Sequence, residues 1–208
     1  MLFSVNISKM NKILLIISIF ITFKTTAQTY QEIITKYRQD YKHAFLKEER
    51  SPVRAEDLQY FDFFEIDSTF RVKCIFTKTN SPDTFTIPTV DGKQKEYFKY
   101  GILSFEIKGK KLQLNVYQSL ALMRIPKYKN YLFVPFKDFT SGKETYGGGR
   151  YLDIETTDIQ TDVVILDFNK AYNPYCAFGD GFSCPVPPKE NHLKAQIKAG
   201  EKKFKKPH

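Results

Sequence analysis

The stretch "DTFTIPTVDGKQKEYFKYGILSFEIKGKKLQLNVYQ", Asp83 to Gln118, decides the fold class. Leu103, Phe105 and Ile107 alternate with Ser104, Glu106 and Lys108. Leu112, Leu114 and Val116 alternate in the same way with Gln113, Asn115 and Tyr117. A period of two sends the sets to opposite faces of a strand, so each strand is expected to have one buried and one wet face. Turns are expected near Asp91-Gly92 and at Gly109, where glycine accepts backbone angles that other residues resist. The segment predicts successive antiparallel strands.

The same pattern extends in both directions. In "TFRVKCIFTK", Phe70, Val72, Cys74 and Phe76 share one face, while Arg71, Lys73 and Thr77 share the other. Downstream, "YLFVPF", "RYLDIE" and "DVVILDF" read as strands, the last so continuously apolar that a central place in the sheet is expected. Upstream, "TYQEIITKYRQDYKHAFLKEE" predicts an amphipathic helix, with Ile33, Ile34, Tyr37, Tyr41, Ala44 and Phe45 as its apolar stripe. Thr29 and Glu32 fit a capping box at its start, and Ser51-Pro52 breaks the helix. The expected architecture is mainly β: one antiparallel β-rich domain over residues 28–208, curled or barrel-like, with the helix packed on it.

"ILLIISIFITF" (Ile13 to Phe23) followed by "TTAQ" predicts an exported chain whose signal peptide, residues 1–27, is cleaved after Ala27. The apolar run falls short of the ~20 residues of a bilayer span, so no stable membrane anchor is expected after cleavage. Periplasmic or secreted localisation is the corresponding expectation. Without the leader, 32 Lys+Arg fall to 29 against 23 Asp+Glu, and much of the excess lies in "KKFKKPH" (Lys202 to His208), expected to be a frayed basic tail. Aromatics alternate with strand periodicity and do not interleave with a basic stripe, so no nucleic-acid partner is expected.

Four ordered motifs, "LFVPFKDFTSGKETYGGGRYLDIE", "LDFNKAYNPYCAF", "CPVPPKEN" and "IKAGEKKF", mark the C-terminal half. Together they resemble the bacterial and archaeal family known as domain of unknown function 1684, over most of the chain from the helix onward. The resemblance implies membership and no activity.

Three constellations could carry chemistry. Cys176 and Cys184 bracket a Gly-containing loop, and in an exported chain a disulfide is the expected state. A zinc site would add His192 but has no second ligand pair, and a nucleophilic cysteine would need a base within reach. Cys74 falls on the apolar face of its strand, with pairing to either of the others open. Gly147, Gly148 and Gly149 could turn backbone N–H groups toward an anion, completed by Arg150; alternatively the loop is structural and Arg150 pairs with a nearby acid. The segment "SGKET" is not a P-loop, since no glycine matches upstream of Gly142-Lys143 and Glu144 replaces the Ser or Thr that would hold magnesium; no metal and no cofactor are expected. The third set is polar: Asp153, Asp167, Asn169, Asn173, Glu190, Asn191 and Glu201. Two functions are consistent with these sets. One is a non-catalytic envelope protein binding an anionic or sugar-like ligand, or a partner, through Gly147–Gly149, Arg150, Asn169, Asn173 and Asn191. The other is a hydrolase-like enzyme with a carboxylate pair drawn from Asp153, Asp167 and Glu190.

Overall fold

The computed structural model describes residues 28–80 and 83–206, so the expected leader lies outside the described residues. Among the described residues one α-helix, α1 (Tyr30–Phe45), precedes seven strands: β1 (Arg71–Lys78), β2 (Thr84–Pro88), β3 (Gln94–Ile107), β4 (Lys110–Ser119), β5 (Tyr131–Phe136), β6 (Arg150–Glu155) and β7 (Val163–Asp167). They form one antiparallel sheet, curled into a half-barrel, in the order β6-β5-β4-β3-β1-β7, with β2 paired to β3. The fold is mainly β, as the alternation predicts.

The β3–β4 hairpin is the spine. Ile107 pairs with Lys110 across Lys108-Gly109, both at positive φ, the conformation that matches a two-residue turn to strand twist. Inside the curl, Leu103, Phe105, Leu114, Val116, Cys74, Leu132, Val134 and Leu166 make the main core. The extended segment Leu193, Ala195, Ile197 and Ala199 points alternate residues into that core. Cys74 is free and buried, and burial pushes its thiol up to about 12.

Two strand expectations need correction. β7 is an edge strand, with Val163 and Ile165 each 40% exposed; its apolar run hides an ordinary alternation in which only Val164 and Leu166 face inward. In β4 the alternation stops at Asn115, and Tyr117 is fully buried. A second, largely aromatic cluster of Ile87, Tyr97, Tyr117, Phe133 and Tyr151 explains why: chain returning after β7 passes this side of the sheet, bridging Pro185 to Thr89 and Tyr172 to Tyr151.

The helix stripe is also shifted. Thr29 and Glu32 form the expected capping box, but Ile33 is 44% exposed and Ala44 is exposed too. The inward face is Tyr30, Ile34, Tyr37, Tyr41 and Phe45. Three tyrosine hydroxyls dock it: Tyr30 donates to Asp167, Tyr37 to the Lys170 carbonyl and Tyr41 to Glu201. The basic tail, expected to be frayed, is docked through Lys206. Phe204 packs on Phe61 and Phe178 at 5.3 and 5.0 Å, while Lys202 and Lys205 reach Asp62 and Lys206 reaches Asp57.

Candidate functional site

Most polar residues singled out in the sequence hold the fold together. Arg150, expected on an anion site, is fully buried at the start of β6. Its guanidinium donates to the carbonyls of Ala199, Glu201 and Ile197 and pairs with Asp138 at 3.5 Å, with the Phe136 ring 5.1 Å away. Those partners engage both terminal nitrogens and leave only the buried Nε without one, and with the residue 1% exposed the guanidinium faces the protein's own carbonyls and not an open site. Gly149, at φ +94°, is needed for space: a Cβ there would come within 2.7 Å of the Phe136 carbonyl and the Pro187 ring. Gly147 stays exposed and Gly148 half-buried beside them. The loop clasps the protein's own C-terminal segment.

The three asparagines are equally structural. Pro135 has no N–H to give, and β4 pairs with β5 through only one residue pair, Tyr117 with Phe133. Asn191 fills the gap: its amide accepts from Asn115 N at 2.8 Å and donates to the carbonyls of Asn115 and Pro135 at 2.9 and 2.7 Å. Asn169 accepts from Asp67 N and donates to Tyr30 and to the Asp67 carbonyl. Asn173 gives its backbone N–H to Glu201 and its side chain to the Lys202 carbonyl. All three side chains sit in residues with no exposed surface.

The carboxylates separate. Glu190 accepts from the Tyr117 hydroxyl and lies in a concavity with His192 and Lys194. Asp153 and Asp167 line one cavity at the seam between β6 and β7. Asp167 is occupied there by Tyr30, at 3.0 and 3.1 Å to its two oxygens, and by Asn169. Asp153 is different. It also opens on a second cavity of about 500 Å³ between α1 and the β5–β6 edge, where Tyr37, Tyr41, Tyr128, Tyr131, Tyr172 and Tyr175 converge, with Glu48 from just beyond the helix.

Within that cleft, Tyr131 donates to Asp153 at 2.7 Å, and Tyr172 donates to both of its oxygens at 2.8 and 2.9 Å. Asp153 keeps exposed surface, so it lies in an open cleft and not a sealed core. Crowding by the rings still strips away bulk water and raises its carboxyl above the ordinary range, while the two hydroxyls pull it back. Burial above all, with the charge of Asp153 adding, keeps Tyr131 and Tyr172 protonated well beyond the usual tyrosine range. A neighbouring cavity of about 400 Å³ shares Leu122, Tyr131, Tyr172 and Tyr175 and continues past Tyr97, Phe133 and Tyr151 to Phe182. There the Cys176 and Cys184 sulfurs are at disulfide distance, with Cα atoms 6.2 Å apart. This closes the loop that sets Phe182 edge-on to Tyr175 at 5.3 Å. Among the described residues no group of three or more His, Cys, Asp or Glu is arranged to hold a metal ion.

The family described as protein of unknown function DUF1684 matches residues 56–202. The chain belongs to that family. The solution NMR structure of an uncharacterized protein from Haloarcula marismortui is 32% identical, with a TM-score of 0.63, over 82% of this chain and 92% of that one. No curated protein matches. The DUF1684 match takes in Tyr128, Tyr131, Asp153, Tyr172 and Tyr175 but starts after α1, so Tyr37, Tyr41 and Glu48 fall outside it.

Sequence reasoning missed the tyrosines of this DUF1684 protein. Each of three distant segments contributes a pair: Tyr37 and Tyr41, Tyr128 and Tyr131, Tyr172 and Tyr175. Spacings of four, three and three residues were the available signal, because the first puts both rings on one helical face. Taken singly, each tyrosine reads as core.

Proposed function

We propose that this is an exported, non-catalytic binding protein whose ligand site is the tyrosine cleft around Asp153. One observation carries the proposal: Asp153 opens on a cavity of about 500 Å³ lined by six tyrosines, whereas Arg150, Asn169, Asn173 and Asn191 are buried in the scaffold. A concave, mostly apolar site with a few converging polar groups is the usual form of a small-molecule pocket. Export is supported by the signal-like N-terminus and by the Cys176–Cys184 pair, a chemistry that persists in oxidising compartments. An anionic ligand finds no support in this cleft, where, among the described residues, two carboxylates and no basic side chain form the lining. The rings offer flat faces to any ligand with an apolar side. A carboxylate pair for hydrolysis has weaker support, since Glu190 belongs to another concavity and Asp167 is held by Tyr30 and Asn169.

A library of small sugars, amines and carboxylic acids, screened by NMR against the ring signals of Tyr131 and Tyr172, tests the proposal. Binders should shift those signals first. Binders that shift only residues remote from the cleft would move the site elsewhere.

A further inference from the structure

The lining of the tyrosine cleft carries more information than its shape. Five of its six tyrosine hydroxyls already have acceptors. Tyr131 and Tyr172 donate to Asp153, Tyr175 to Glu48 at 2.5 Å, Tyr37 to the Lys170 carbonyl at 3.2 Å and Tyr41 to Glu201 at 2.9 Å. With those protons directed into the protein, the cavity presents ring surfaces and carboxylate lone pairs, and very few donors. A sugar needs donors as well as acceptors, and an anion needs donors or positive charge. Neither finds them here.

The charge balance points the same way. Three enclosed carboxylates elsewhere in the molecule have cationic partners, Asp57 with Lys206, Asp62 with Lys202 and Lys205, and Asp138 with Arg150, while Glu201, sealed beside Arg150, is held by hydrogen bonds. Among the described residues, no Lys, Arg or His comes within salt-bridge distance of Asp153 or Glu48. Two negative groups thus face one aromatic cavity without a counter-charge. The protein's own ammonium groups already use the neighbouring rings from outside the lining: Lys170 sits over Tyr37 at 5.3 Å and Lys127 over Tyr128 at 5.2 Å. Aromatic faces attract cations through their quadrupole, and more strongly where water is excluded.

We infer that the cleft binds a small organic ammonium ion, its charge held near Asp153 and Glu48 and its alkyl groups packed among the tyrosine rings. This rests on the cleft being the ligand site. A quaternary ammonium suits it best, because it needs no directed acceptor and three of the four carboxylate oxygens already accept from hydroxyls. Binding would supply the positive charge that burial denies Asp153, favouring its ionised form.

Choline and its uncharged isostere 3,3-dimethylbutan-1-ol are the probes, titrated against the full chain by NMR and calorimetry. Choline should shift the Tyr131 and Tyr172 ring signals and bind at least about tenfold more tightly than the isostere. Asp153→Asn, which keeps an oxygen for both hydroxyls and removes the charge, should weaken choline by a similar factor. Glu48→Gln, at the mouth, should weaken it less. Equal affinity for the two probes, or undiminished choline binding in folded Asp153→Asn, overturns the inference. A cleft silent to choline but shifted by another class in the library overturns the ammonium and keeps the site. Silence to choline and to the whole library overturns both.

Discussion

Glu201 and Asp153 are two carboxylates under the same physical pressure in different surroundings. Each loses bulk water and each accepts from a tyrosine of the same aromatic region, Tyr41 for Glu201 and Tyr172 for Asp153. Glu201 is sealed, with no exposed surface, and adjoins the Arg150–Asp138 pair beneath the C-terminal segment. Asp153 is open, has no cation within salt-bridge distance among the described residues, and faces a cavity. Desolvation alone therefore does not mark a functional carboxylate. What separates the two is the space in front of them, and whether the protein has already filled it with its own groups.

The largest expected effect comes from breaking the sealed side. Arg150→Met leaves the buried Asp138 without its cation and three carbonyls without their donor. Removing one partner of a buried pair typically costs about 3–5 kcal/mol, and urea unfolding should show a loss of that size. A loss below about 1 kcal/mol would mean that the buried centre does not hold the C-terminal segment, and the contrast with Asp153 would collapse.

Glu201→Gln probes the same centre more gently. Burial pushes the Glu201 carboxyl from 4.5 up to about 8, against the pull of Asn173, Tyr41 and Arg150. Between those values the unfolded chain has released its proton while the folded chain still holds one. The resulting stability is full below about pH 4.5 and is lost as pH rises toward 8, at up to about 1.4 kcal/mol per pH unit. The amide cannot titrate, so the variant should lose this slope in unfolding midpoints measured from pH 5 to 8. An unchanged slope would place the pH dependence in another group. The amide oxygen can still accept from Tyr41, so ring signals in the cleft should stay where they are.

Much of the scaffold was legible in the sequence, because strand alternation and the Thr29–Glu32 cap depend on residues a few positions apart. Leu103, Phe105 and Ile107 face inward as their period requires, and Gly109 turns the hairpin. Legibility failed where a partner from far along the chain decides the outcome. The period of β4 assigns Tyr117 to the wet face, because nothing near it foretells the returning loop that covers it. Gly-Gly-Gly-Arg has the same local pattern whether it surrounds a ligand or a neighbouring stretch of chain, and only the position of Ile197–Glu201 distinguishes the two. The cleft was hidden for the same reason: its six rings come from three segments that meet only after folding.

The smallest expected effect is also the one that sharpens the comparison most. Asp153→Asn should change stability by no more than about 1 kcal/mol near neutral pH, since the amide oxygen can still accept from Tyr131 and Tyr172. The pH trend should favour the variant. Burial raises the Asp153 carboxyl, so the native protein loses stability as pH climbs through and beyond the ordinary carboxylate range, while the amide does not titrate. Thermal midpoints of the two proteins should draw apart with rising pH, the variant higher. A residue that weakens the fold as it ionises, yet opens on the aromatic cavity, is the expected signature of a site held for binding. If Asp153→Asn instead unfolds the protein as Arg150→Met is expected to, Asp153 joins the sealed carboxylates and the cleft loses its functional centre.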